Sequence, residues 1–175
     1  MSKSTTLHRL VDFWWIWAIA ALAAGAVTTA AAQDFPIVDL ELAGTVERAN
    51  AVVRGVDLST IRATILWDFL FIFFYAPALF LGSLWARRQF DGDFGRRAGT
   101  VIAASGLVAG ALDMIENVAM LGYLSGAGGW SGWNLVSLST AIPKFVLAFV
   151  AIVYILVGIV LAVARSIARR RQETT

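Results

Sequence analysis

Cysteine is absent from this 175-residue chain, and histidine occurs once. Without cysteine there is no disulfide scaffold, no thiolate metal site and no thiol redox relay. The single histidine, His8, lies in the N-terminal tail, so imidazole catalysis and His-rich metal sites inside the apolar runs are not expected. No Ser-His or Cys-His nucleophile set is available, and no Gly-rich phosphate loop follows a strand. Charge is also scarce. Only 15% of residues are Asp, Glu, Lys or Arg, against about one quarter in soluble domains. The net charge of +2 is small and gathered at the ends of apolar runs, which excludes nucleic acid as a partner. There is no internal repeat and no low-complexity linker. The sequence assigns no cofactor and no metal.

What the chain has in quantity is hydrophobic surface, 59% of its residues. It is arranged in four runs at about 11–32, 61–85, 101–124 and 135–163, each long enough to cross a bilayer as a helix. The expected fold is an all-α integral membrane protein of one domain, residues 1–175. It is a four-helix transmembrane bundle with a short amphipathic helix in the first extracytoplasmic loop.

The first run opens with Trp14, Trp15 and Trp17, as an interfacial aromatic belt does. A signal peptide ending at Ala30-Ala31-Ala32 is the competing reading. The run of about 20 apolar residues exceeds the usual signal core of roughly 7–15, which favours a retained span. Its many small residues, Ala18, Ala21 and Gly25 among them, allow close packing on a neighbour.

The loop Gln33–Arg62 carries Asp34, Asp39, Glu41, Glu47 and Asp57. Within it, Leu42, Val46, Ala49 and Val53 share one helical face, with Thr45 placed to cap the start and Gly55 the end. Such a helix lies on the bilayer surface, or forms a lid over the bundle mouth. The N-terminal tail, the Arg87–Arg97 connector and the Arg165–Arg171 tail are basic. The positive-inside rule therefore places both termini in the cytoplasm of a cell membrane, taken as a bacterial inner membrane.

The unusual stretch is Gly106–Leu121, GLVAGALDMIENVAML. Asp113, Glu116 and Asn117 lie inside an otherwise apolar span, where ionisable groups are costly and mark function by default. Gly106 and Gly110 share a face with Asp113 and Asn117, so the polar pair continues a close-contact stripe and points into the bundle. Glu116 lies about 60° from Asp113, at the stripe's edge, facing either a cavity or a partner. Asp68 in the second span, Glu116 in the third and Lys144 in the fourth fall about 10, 12 and 13 Å from the same ends of their helices. Three helices thus bring charge to one layer. Lys144 is the only interior cation, and it is expected to pair with at least one of Asp68, Asp113 and Glu116. A proton or a bound cation then compensates the surplus carboxylates. Tyr75, Asn117 and Thr140 are expected as hydrogen-bonding members, with Thr140 one turn before Lys144 and able to fix its rotamer. Pro143 is expected to weaken the helix beside Lys144, as a static kink or as a hinge.

The candidate ligand- or ion-binding residues are therefore Asp68, Asp113, Glu116, Asn117, Lys144, Tyr75 and Thr140. The expected role is binding or translocating a proton, a small cation or a small amphiphile. The alternatives are an accessory subunit of a larger membrane complex and a lipid-modifying enzyme. The implied partners are the lipid bilayer, a small cation or amphiphilic ligand, and a membrane-protein partner or a second copy of the chain.

Overall fold

The computed structural model describes residues 9–33, 35–125 and 132–173. The tail through His8, Asp34, and the Gly-rich stretch with Trp130 lie outside the described residues. Among the described residues four helices are long and apolar enough to cross a membrane: α1 (Trp14–Ala32), α4 (Leu58–Ala86), α5 (Asp93–Leu124) and α6 (Gly132–Glu173). Two short helices, α2 (Ile37–Glu41) and α3 (Val46–Val53), join α1 to α4. No strand occurs among the described residues.

Local chemistry accounts for the boundaries. The Thr45 side chain accepts from the Arg48 N–H at 3.3 Å and caps α3, and Gly55 turns the chain at φ +81° after it. Asp57 caps α4, accepting from the Thr60 N–H at 3.2 Å and from the Ser59 hydroxyl. These two bonds to the charged form hold the Asp57 carboxyl below its ordinary range. The long helices overrun the apolar runs that announce them. Helix α5 begins at Asp93 and α6 continues to Glu173, because backbone hydrogen bonding persists where hydropathy has already fallen.

The four long helices alternate in direction. At one end Trp14 packs against Trp85, Arg88 pairs with Asp12 at 2.6 Å, and Arg165 pairs with Asp91 at 2.6 Å. At the other end Tyr123 donates to Asn50 at 2.6 Å, and Ala49 of α3 is buried in a cluster with Phe35, Leu40, Ile61, Ile65 and Met120. The first-loop helices are thus packed on the ends of α4 and α5.

Helix α4 is the hub, in contact with α1, α5 and α6, while α5 also packs along α6. The α4–α5 contact is close because of the glycines. A Cβ on Gly110 would come 2.5 Å from the Ala76 Cβ, and one on Gly106 would come 2.8 Å from the Leu79 Cβ and 3.2 Å from the Phe80 backbone nitrogen. Helix α1 packs on α4 and has no broad contact with α6. That leaves a cleft between α1 and α6 with α4 as its floor.

Candidate functional site

Lys144 is the centre of the polar layer. Its Nζ lies 2.6 Å from Asp113 Oδ1, 2.6 Å from Glu116 Oε2 and 3.2 Å from Glu41 Oε2. Lys144, Asp113, Glu41 and Glu116 are each no more than 5% exposed, so four charged side chains share a desolvated interior. Carboxylate oxygens of Glu41, Asp113 and Glu116 lie within 4.8 Å of one another, a donor spacing that suits a cation. The Lys144 ammonium supplies that cation from within the chain. Isolated buried charges are costly, and this pairing is what makes the layer tolerable.

The remaining members attach around the edge. The Tyr75 hydroxyl donates to Asp113 Oδ2 at 2.8 Å, and Asn117 Nδ2 donates to Asp68 Oδ2 at 2.8 Å. The Ser137 hydroxyl contacts both the Glu41 carbonyl, at 3.1 Å, and Glu116 Oε1, at 3.5 Å.

The structure therefore brings six of the seven expected residues into two linked groups. Lys144, Asp113, Glu116 and Tyr75 form one; Asp68 and Asn117 form the other. Asp68 has no basic partner within ion-pair distance among the described residues. Glu116 faces a partner and no cavity: it is fully buried and turned toward Lys144. Thr140 stands apart. Its hydroxyl donates to the carbonyls of Val136 and Ser137, both at 2.9 Å. This back-bonding occupies the hydroxyl within α6 beside Pro143, which lacks an N–H for the Ser139 carbonyl.

Two participants were not foreseen, Glu41 and Ser137. Glu41 looked like one acid among five in a polar loop, whereas the structure buries it. The available signal was its setting, Ile37-Val38-Asp39-Leu40-Glu41-Leu42, where apolar residues flank an acid directly after Pro36. Such a segment buries one face when it folds back.

Glu41 lies outside the long helices, and burial pushes its carboxyl up to about 7, with Lys144 opposing that rise and Asp113 and Asp68 adding to it. A carboxyl raised in the folded state binds its proton more tightly there than in the unfolded chain. Its contribution is then fully present below the ordinary value of 4.5 and is lost as pH rises through about 7. Amide hydrogen exchange in 37–43 is expected to accelerate across that window. Glu41→Gln is expected to flatten the dependence. A profile that the substitution leaves unchanged would assign it to another group.

The cleft between α1 and α6 adjoins this layer and has a volume of about 950 Å³. Small residues of α1, Ala18, Ala21 and Gly25, form one wall; Ala148, Ile152 and Leu156 of α6 form the other. Phe71 and Leu79 of α4 lie on the floor. Glu41, Asp68, Tyr75, Asp113 and Lys144 line one end, and Trp14 and Ile159 the other. From Trp14 to Thr28 the α1 wall is about 21 Å long at 1.5 Å per residue. A long, mostly apolar channel with polar groups at one end can hold an amphiphile, with its head at the layer and its tail along the helices.

No protein-family model, curated protein or solved structure matches this chain.

Proposed function

We propose that this is an integral membrane protein that binds a single-chain amphiphile in the α1–α6 cleft. In this reading the four long helices span the bilayer with both termini in the cytoplasm, and α2 and α3 lie at the extracytoplasmic side. The cleft then opens sideways into the hydrocarbon, and the polar layer falls in the outer half of the membrane. The carrying observation is the joining of a long apolar channel to the Asp68–Tyr75–Asp113–Lys144 end in one continuous cleft. Its length of about 21 Å exceeds one leaflet of a hydrocarbon core of about 30 Å, enough for an acyl or isoprenoid chain. Binding has more support than ion passage, because the far end at Trp14 and Ile159 offers an ion no carboxylate or amide.

The test fills the cleft from both walls. The full chain in zwitterionic-lipid nanodiscs is titrated with tetradecyl maltoside, and empty nanodiscs correct for partition into lipid. Ala148→Trp on α6 and Ala18→Trp on α1 are each expected to weaken saturable binding at least about tenfold, or 1.4 kcal/mol. Binding that both bulky side chains leave unchanged would place the amphiphile elsewhere and defeat the reading.

A further inference from the structure

The geometry points to a ligand whose head is a cationic, hydrogen-bond-donating group, an organic ammonium, held by Asp68; this rests on the amphiphile reading above. The inference follows from where the hydrogens at the polar end are already directed.

A lysine ammonium has three N–H donors. Lys144 faces three carboxylates, those of Asp113, Glu116 and Glu41, at 2.6, 2.6 and 3.2 Å. It donates to Asp113, and Glu116 and Glu41 stand at ion-pair distance, so its charge is directed at carboxylates of the chain and away from an anionic head. The Tyr75 hydroxyl hydrogen goes to Asp113, which leaves the phenolic oxygen as an acceptor. The Asn117 amide donates to one oxygen of Asp68, and the other oxygen of that carboxylate has no hydrogen bond among the described residues. Among the described residues no other Lys, Arg or His lines the cleft. The groups offered to an incoming head are therefore acceptors. A sulfate, phosphate or carboxylate head would meet carboxylates in a poorly screened setting and find no donor in return.

Charge leads to the same class. Four carboxylates, Glu41, Asp68, Asp113 and Glu116, surround one ammonium in the layer. Three of them face Lys144, and among the described residues Asp68 alone faces the cleft without a cation. An ammonium head beside Asp68 supplies the missing charge. It also meets the Phe71 and Tyr75 rings, whose centroids are 4.9 Å apart and which both line the cleft. Aromatic faces attract a desolvated ammonium through their quadrupole. The pairing is local to Asp68 and leaves the Lys144 contacts intact.

The experiment compares three probes of equal chain length on the full chain in zwitterionic-lipid nanodiscs: tetradecylammonium, tetradecyl maltoside and tetradecyl sulfate. Empty nanodiscs correct for partition. The ammonium is expected to bind at least about tenfold more tightly than the sulfate. Asp68→Asn is expected to weaken ammonium binding about tenfold relative to maltoside binding, with a cooperative unfolding transition in sodium dodecyl sulfate reporting that the variant is folded. Equal binding of ammonium and sulfate, with both blocked by Ala148→Trp, overturns the head-group inference and leaves the cleft reading standing. An ammonium preference that survives Asp68→Asn removes Asp68 as the counter-ion and also overturns it. No saturable binding of any of the three removes the amphiphile reading and this inference together.

Discussion

Lys144→Met is expected to lower the stability of the folded chain by roughly 3–5 kcal/mol, the cost of removing one partner from a buried ion pair. Methionine nearly matches lysine in length, so the loss reports charge more than packing. The reason is the number of groups left behind. Among the described residues Lys144 alone compensates Asp113, Glu116 and Glu41, which lie 2.6 to 3.2 Å from its Nζ. Glu116 is fully buried and has no other cation among the described residues. Unfolding in mixed micelles titrated with sodium dodecyl sulfate measures the loss. The decisive comparison is the triple variant Lys144→Met, Asp113→Asn, Glu116→Gln. If uncompensated charge is the cause, neutralising the two closest acids recovers most of the stability, and the effects are strongly non-additive. Additive losses would mean that Lys144 acts through its methylene chain instead.

Gly110→Leu is expected to have the next largest effect, about 1–3 kcal/mol or more of destabilisation from overpacking. The first added carbon would stand 2.5 Å from the Ala76 Cβ, below contact distance, and both atoms are fixed to helix backbones. No rotamer change relieves it, so α4 and α5 must separate. That separation would also disturb Tyr75, one residue before Ala76, and Asp113, three residues after Gly110. Gly110→Leu should therefore weaken tetradecyl maltoside binding as well as stability. Ala76→Gly in the same chain is expected to restore part of both. A Gly110→Leu protein of normal stability would show that the two helices tolerate a wider spacing.

Much of the site was legible because span three mixes two signals in one stretch. Gly106 and Gly110 mark a contact face, and Asp113 and Asn117 continue it at helical spacing. Depth from the helix ends then brings Lys144 and Asp68 to the same layer. The partners within that layer were less legible. Asp113, Glu116 and Asp68 are equivalent as acids near one lysine, and helix rotation decides which of them reaches it. Asp113 and Glu116 turn toward α6, and Asn117 turns toward α4 and takes Asp68. Thr140 has the right spacing but satisfies its own helix instead.

Glu41 illustrates the other gap. Its segment is five residues long, too short for periodicity to speak, and its burial depends on how the chain turns after α1. Ser137 is an unremarkable residue on an apolar helix until Glu41 and Glu116 are placed against it.

The sequence by itself determined the four long apolar helices, their alternating direction and the layer in which acids and lysine meet. Those properties follow from helix rise, hydropathy and charge at the helix ends, which act along the chain. Only the tertiary structure decided that α1 leans on α4 and leaves α6 uncovered, that Glu41 folds back onto Lys144, and that Asp68 is left facing a cleft. Those outcomes depend on which side-chain surfaces of separate helices fit together, and Gly110 against Ala76 or Lys144 among three carboxylates is a match between residues far apart in the chain.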